Sequence, residues 1–235
     1  MKTTIYRNGS RGGADHGWLR SAFSYSFADY FDRKRMGLGA LRVFNDDEIA
    51  PSTGFPMHPH DNMEIVTIVT EGAVEHKDSM GSGSVIRPGE VQRMSAGSGI
   101  LHSEWNPSDD EVLKLFQIWI KTRDRDIAPE YEQAVFDFES SRGWLITVVS
   151  GDPDEEGLTF HQDAWIMRGF LSGGQSVDYK VKRDGDALYV FVVEGRVTVN
   201  GERLGRRDAA EIENADTVRL DVDAESDIIL IEVPM

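Results

Sequence analysis

Short runs of β-branched and aromatic residues recur along the whole chain and leave little room for a helical fold. They occupy residues 39–44, 64–69, 73–77, 113–120, 144–149, 187–193, 196–199 and 228–233. Gly, Asp, Asn and Pro bound most of them, which is typical of strands joined by tight turns. The pattern predicts an all-β sandwich or barrel with few short helices. One helical turn is predicted at residues 129–134, because proline is favoured at the first position of a helix.

A repeated pattern suggests that the chain consists of two similar halves. An apolar run ends in Glu71-Gly72 and is followed by a second run, and the same order recurs at Glu194-Gly195, 123 residues later. The offset is about half of the 235 residues, so the repeat predicts two barrels, although an accidental match between two hairpins would look the same. We place the boundary in the polar stretch 137–143, with domains at residues 1–136 and 137–235.

Composition excludes several classes of function. The chain has 41 acidic residues against 25 lysines and arginines, a net charge of −16. Nucleic-acid phosphates and anionic membranes repel such a protein, so we expect neither as a partner. The chain contains no cysteine, which excludes disulfides, thiol nucleophiles, cysteine-ligated zinc and iron–sulfur clusters. No leader-like or membrane-spanning apolar segment is visible, so we expect a cytoplasmic location.

Any metal site must therefore use histidine or carboxylate ligands, and these are concentrated in the first half. His58 and His60 form one pair, and His102 and Glu104 form another. Residues i and i+2 of a strand point to the same face, so each pair can converge on one point. Together they suit a first-row divalent metal, whereas the alternative for each pair is a solvated strand or turn. Glu64 is a further candidate ligand or a hydrogen-bonded strand residue.

Several segments resemble the signature sequences of the pirin family, two-barrel (bicupin) proteins related to quercetin dioxygenases. The longest are residues 54–67 (GFPMHPHDNMEIVT), 71–79 (EGAVEHKDS) and 89–104 (GEVQRMSAGSGILHSE). Shorter ones are residues 17–21 (GWLRS), 27–31 (FADYF), 117–120 (QIWI) and 129–133 (PEYEQ). The resemblance extends from about residue 6 to residue 136 and is looser beyond residue 140.

The resemblance implies two stacked cupin (jelly-roll-like) barrels and one divalent metal ion. Fe(II) is the usual metal of such proteins, with Mn, Ni, Co, Cu or Zn as alternatives. The implied ligands are His58, His60, His102 and Glu104. In the wider cupin pattern Glu64 would be the fourth ligand instead; we follow the pirin arrangement and expect Glu64 beside the ligands, where it would orient an imidazole or act as a base.

The second barrel is expected to hold no metal. Adding the repeat offset of 123 to His58, His60 and Glu64 gives Val181, Arg183 and Ala187, and no histidine follows His161. We therefore interpret this half as a degenerate barrel that covers the first barrel and shields its pocket.

The resemblance implies a quercetin 2,3-dioxygenase-like enzyme that opens the heterocyclic ring of a flavonol with O2. Glu104, if it loosens from the metal, or Glu64 would accept the proton of the flavonol 3-hydroxyl. The alternative function is a non-enzymatic, metal- or redox-sensitive regulator that binds a protein partner. His76 and Asp78 are expected to form a structural hydrogen-bonded pair. Four side chains flank the ligand segments and are candidates either for the core or for the wall of an aromatic-binding pocket: Phe44, Phe55, Met57 and Trp105.

Overall fold

The computed structural model describes all 235 residues as twenty strands and one three-residue 3₁₀ helix, Asn8–Ser10. The strands are β1 (Lys2–Tyr6), β2 (Gly12–Asp15), β3 (Leu19–Phe23), β4 (Leu41–Ile49), β5 (Gly54–His60), β6 (Met63–Glu71), β7 (Val74–Asp78), β8 (Gly83–Ile86), β9 (Glu90–Ser95), β10 (Ile100–Trp105), β11 (Leu113–Lys121), β12 (Glu130–Val135), β13 (Ile146–Ser150), β14 (Leu158–Thr159), β15 (Trp165–Leu171), β16 (Ser176–Lys180), β17 (Ala187–Val199), β18 (Glu202–Gly205), β19 (Ala209–Glu213) and β20 (Thr217–Val233). The predicted all-β class is confirmed. No helix has the length and apolar character needed to cross a membrane, and the cytoplasmic location stays a prediction.

The helical turn predicted after Pro129 is wrong, because these residues form the edge strand β12. This strand pairs antiparallel with β9 from Glu130↔Ser95 to Val135↔Glu90. The side chain of Gln133 donates from Nε2 to the carbonyl oxygen of Val85, 3.2 Å away. Pairing with a neighbouring strand thus outweighs the local preference that proline gives.

Two sheets form the N-terminal barrel. One has seven strands in the order β12-β9-β6-β11-β4-β3-β2, and the other has four in the order β5-β10-β7-β8. Alternate residues of the seven-stranded sheet point to opposite sides. Asp47 and Gln117 line the space between the two sheets, whereas Phe44, Val66 and Phe116 point away from it into a separate apolar core.

A nine-stranded sheet forms the C-terminal half. Its longest strands are β17, with 13 residues, and β20, with 17, and their pairing contains three register shifts. Strand β1 also belongs to this sheet, because it pairs with β19 from Lys2↔Glu213 to Tyr6↔Ala209. The domain boundary at residues 136 and 137 stays a prediction. A cluster of 16 buried apolar residues fills the interior of this half.

The second barrel packs against the outer face of the seven-stranded sheet. Ring centroids of Phe44 and Phe191 lie 4.6 Å apart, and those of Phe116 and Phe191 lie 5.5 Å apart. These residues belong to a core of 26 buried residues that joins the two halves. The space between the sheets of the first barrel opens on the other face, so the prediction that the second barrel shields the pocket is wrong.

The two glycines of the sequence repeat have the same kind of backbone conformation. Gly72 has φ +71° and Gly195 has φ +92°, which side chains with a Cβ rarely adopt. A Cβ at Gly72 would lie 2.9 Å from the carbonyl oxygen of Val112, and one at Gly195 would lie 2.2 Å from that of Glu225. In both halves the Glu-Gly pair therefore lets two chain segments approach closely.

Candidate metal centre

Two adjacent strands of the four-stranded sheet bring the predicted histidines together. Strands β5 and β10 pair antiparallel, so that His58 lies opposite His102 and His60 lies opposite Ile100. Ligand atoms of His58, His60 and His102 all lie within 4.8 Å of one another. The i, i+2 spacing of the two histidines in β5 thus places both imidazoles on the inner face, as predicted.

The distances within this cluster fit one metal ion. The Nε2 atoms of His58 and His102 are 3.0 Å apart, which is about the separation of two nitrogens bound at right angles to one ion at 2.1 Å. The Nδ1 atom of His58 lies 2.8 Å from the carbonyl oxygen of Pro56. A carbonyl can only accept, so Nδ1 carries the proton and Nε2 keeps its lone pair for a metal.

The protein environment keeps two of the imidazoles neutral. Burial, reinforced by the neighbouring His102 and His58, lowers the pKa of His60 to about 4. Burial, followed by the effect of His58, lowers the pKa of His102 to about 3. Because a metal binds the neutral imidazole, the site is ready for a cation at neutral pH.

Glu104 lies in the same pocket but is held by the opposite sheet. It points into the pocket from β10, as His102 does, and the residue is only 3% exposed. Gln117 Nε2 donates to both carboxylate oxygens, at 3.0 and 2.8 Å, and Thr67 Oγ1 donates to Oε1 at 3.3 Å. The carboxylate is outside the group of three imidazoles, so its role as fourth ligand stays a proposal.

Glu64 lies on the other face of the seven-stranded sheet, so the prediction that it sits beside the ligands is wrong. It accepts a hydrogen bond from Ser95 Oγ at 2.5 Å, and burial raises the pKa of its carboxyl. His60 and Glu64 are only four residues apart but belong to different strands, β5 and β6. Between them Asn62 turns the chain with φ +47°.

The expected pair of His76 and Asp78 is present, with His76 Nε2 3.2 Å from Asp78 Oδ2 and both side chains buried. Its position next to the cluster is a finding of the structure. The ring of His76 stacks on Tyr131 at 4.7 Å and lies 5.4 Å from the ring of His102. The pair therefore packs behind the imidazoles rather than among them.

The cluster opens into a pocket of about 410 Å³ with an aromatic wall. Of the four candidate wall residues only Phe55 lines it; Phe44 is in the core between the barrels, and Met57 and Trp105 are 53% and 40% exposed. Sequence reasoning missed the other aromatic side chains of the wall, which are Trp18, Phe23, Phe27 and Trp119. Only Phe23 and Trp119 lie in strands, β3 and β11, so no periodic pattern marked the four residues as a group. The ring centroid of Trp119 lies 4.8 Å from the centroid of the His60 imidazole.

Two polar residues of the pocket were also missed, Asn45 and Asp47 of β4. Each has a buried Oδ1 atom without a hydrogen-bond partner, as has the Nε1 atom of Trp119. Burial raises the pKa of Asp47 to about 7. Buried polar atoms without partners are rare in folded proteins, and these three belong to residues that line this pocket.

These observations show that the residues present fit a divalent metal. The donor set is three neutral imidazoles, which suits first-row metals. One side of the cluster faces the pocket, so a metal there would keep positions open for other ligands.

Comparison with known proteins agrees with this description. Residues 5–120 match the Pirin family, and residues 147–233 match the family described as the quercetinase C-terminal cupin domain. The chain is 42% identical over 224 residues to the quercetin 2,3-dioxygenase of Escherichia coli (strain K12), covering 95% of each chain. It is 40% identical over 222 residues to a pirin-like protein of Caulobacter vibrioides, covering 94% of this chain and 95% of that one.

Solved structures give the same result for the fold. The bacterial pirin YhhW from Escherichia coli in complex with nickel(II) has a TM-score of 0.94 and 39% identity, covering 99% of each chain. The two barrels predicted from the sequence repeat are therefore cupin barrels. Identity of this degree over almost the entire length shows that the chain belongs to the pirin family of bicupin proteins.

Proposed function

We propose that this protein is a metal-dependent dioxygenase that opens the heterocyclic ring of a flavonol such as quercetin with O2 and releases carbon monoxide. The observation that carries the proposal is the cluster of three imidazoles at one end of an aromatic-walled pocket of about 410 Å³. Ligand pockets of this kind combine an apolar wall with a few polar groups. Curated relatives named quercetin 2,3-dioxygenase support the reaction class.

The proposed ligands are His58, His60, His102 and Glu104. A divalent ion bound there, Fe(II) in our proposal, supplies the Lewis acidity that stabilises the oxyanion of the flavonol 3-hydroxyl. The hydrogen bond from His58 Nδ1 to the carbonyl oxygen of Pro56 fixes the orientation of that imidazole. Pre-oriented ligands of this kind lower the cost of organising the site.

Glu104 is the group that we propose accepts the proton from the flavonol. Its bonds from Gln117 and Thr67 hold the carboxylate in the pocket and still leave lone pairs free. Glu64 drops out of this role because it faces the other side of the sheet.

The aromatic wall orients the substrate in this proposal. Trp119 and Phe27 contact each other edge to face at 5.3 Å, and a planar ring system can stack beside them. The buried N–H of Trp119, which has no acceptor in the protein, is a donor for a substrate oxygen.

The experiment combines metal content with turnover. Wild-type protein is loaded in turn with Fe(II), Ni(II), Mn(II), Co(II), Cu(II) and Zn(II), and oxygen uptake and the loss of quercetin absorbance are recorded. We expect one bound ion per chain and turnover with at least one metal. His60→Ala is expected to lose both. His161→Ala is the matched control, because His161 pairs with Glu130 outside the pocket, and it is expected to keep both.

Two outcomes would contradict the proposal. Wild-type protein that binds metal but consumes no oxygen with quercetin under any metal is not a flavonol dioxygenase. Equal metal binding by wild type and His60→Ala would show that the ion sits elsewhere. The regulator alternative predicts the first outcome together with a protein partner whose affinity depends on the oxidation state of the metal.

A further inference from the structure

A cleft of about 700 Å³ lies between the two barrels, separate from the metal pocket of about 410 Å³. Residues of both halves line it, among them Arg11 and Asp46 from the first and Arg168, Arg207 and Asp227 from the second. It lies on the face of the seven-stranded sheet that points away from the imidazoles. Nothing in the proposed dioxygenase reaction uses it.

The charges of this cleft do not cancel. Six basic and five acidic side chains line it, although the whole chain carries a net charge of −16. Four basic residues form pairs, each with its own carboxylate: Arg20–Glu48, Lys114–Glu71, Arg168–Asp227 and Arg206–Glu194. The fifth carboxylate, Asp46, is shared by both Arg11 and Arg207.

The surplus positive charge is therefore localised. Oδ2 of Asp46 lies 3.1 Å from Nη1 of Arg11 and 3.2 Å from Nε of Arg207, so one oxygen serves two guanidinium groups. Their side chains are only 4% and 10% exposed. Nε of Arg11 and Nη1 of Arg207 are buried and have no hydrogen-bond partner. Leaving charged donors unpaired in this way is costly, and an anion would remove that cost.

The backbone of Arg207 gives independent support. It has φ +64°, a conformation that is uncommon for a residue with a long side chain and that often marks functional sites. The guanidinium groups are also fixed against aromatic rings, that of Arg207 at 5.0 Å from Phe116 and that of Arg11 at 5.1 Å from Phe191. The donors are thus held in place before any ligand arrives.

We propose that this cleft is a binding site for an organic carboxylate, whose anionic group bridges Arg11 and Arg207. Planar guanidinium groups match the geometry of a carboxylate, and the net charge of +1 suits a single anionic group. Phe138 and Phe170 also line the cleft, and they provide an apolar surface for the body of the ligand. Benzoate is the simplest probe with both features.

The test is calorimetric titration of the full-length protein with benzoate, in the presence of a chelator so that no metal competes for the probe. Arg11→Gln and Arg207→Gln each replace one guanidinium group by an uncharged amide. Arg203→Gln is the matched control, because the Arg203 side chain is 70% exposed and pairs with Asp223. We expect saturable binding to the wild type, at least tenfold weaker binding to Arg11→Gln and Arg207→Gln, and unchanged binding to Arg203→Gln. Thermal unfolding checks that every variant is folded.

His58→Ala separates this site from the metal pocket and is expected to bind benzoate as the wild type does. The proposal would be overturned if benzoate showed no saturable binding to the wild type. It would also be overturned if Arg11→Gln and Arg207→Gln bound benzoate as tightly as the wild type does. Loss of binding in His58→Ala would place the probe in the metal pocket and would overturn it as well. Inorganic phosphate is titrated in parallel; binding of phosphate without binding of benzoate would reject an organic carboxylate as the ligand.

Discussion

Asp47 makes the stability of this protein depend on pH in a direction opposite to that of most surface carboxylates. It is 3% exposed, and its Oδ1 atom has no hydrogen-bond partner. Its pKa is raised from 3.8 to about 7, chiefly by burial; the nearby acids Asp46 and Glu104 also raise it, whereas Ser21 and Arg11 lower it. The folded protein therefore keeps a proton that the unfolded chain has already released.

The sign and size of the effect follow from this difference. A carboxyl with a raised pKa contributes its full stability below the pKa of the unfolded chain, and the contribution is lost as pH rises through the folded pKa. The shift from 3.8 to about 7 corresponds to about 4 kcal/mol in total at 1.4 kcal/mol per pKa unit. About 2 kcal/mol of this is lost between roughly pH 5.5 and 8.5.

The variant Asp47→Asn removes the titrating group but keeps the shape of the side chain. We expect the free energy of unfolding of the variant to gain about 2 kcal/mol relative to wild type over that pH range. Urea unfolding of chelator-treated protein at constant ionic strength measures it. Asp184→Asn is the control, because Asp184 is exposed. Parallel pH profiles for wild type and Asp47→Asn would refute the assignment of the raised pKa to this residue.

Three further predictions concern a glycine of the sequence repeat, a buried ion pair and the metal site. Gly195→Ala should destabilise the protein by about 3 kcal/mol in urea unfolding, because of backbone strain and the contact of the new Cβ with the carbonyl of Glu225. Gly201→Ala is the control and should cost about 1 kcal/mol, because Gly201 has a similar φ of +85° but a Cβ there would have no atom within 4 Å. Asp227→Ala should cost about 3–5 kcal/mol because it leaves buried Arg168 unpaired, whereas Asp178→Ala at an exposed pair should cost at most about 1 kcal/mol. Nickel(II) should raise the melting temperature in proportion to the logarithm of its free concentration, and a chelator should reverse the rise; a melting temperature indifferent to nickel would count against the site.

The strands and the histidine cluster could be predicted because both depend on local spacing. All eight apolar runs overlap observed strands, and His58 and His60 converge because they occupy one strand at i, i+2. The short sequence between His60 and Glu64 concealed a turn at Asn62. Side chains an even number of residues apart share a face only within one strand. The face on which Glu64 lies therefore could not be predicted without knowing where β5 ends.

The aromatic wall and the cleft could not be predicted because they depend on contacts far apart in sequence. Trp18 and Phe55 meet edge to face at 5.2 Å across 37 residues. Asp46 and Arg207 meet at 3.2 Å across 161 residues. A sequence shows which side chains are charged or aromatic, but it does not show which of them share a cavity until the pairing of the strands is known.

Strand β4 explains how one sheet can serve two cavities at once. Asn45 and Asp47 point into the metal pocket, while Phe44 and Asp46 point to the other side, into the apolar core and the cleft. A shift of one residue in the pairing of this strand would exchange the two sets and place a phenylalanine in the polar part of the metal pocket. The register of β4 is therefore constrained from both sides. The constraint on the side of the cleft requires the second barrel, which contributes Arg207. Without Arg207, Asp46 would pair with Arg11 alone and the proposed carboxylate site would not exist.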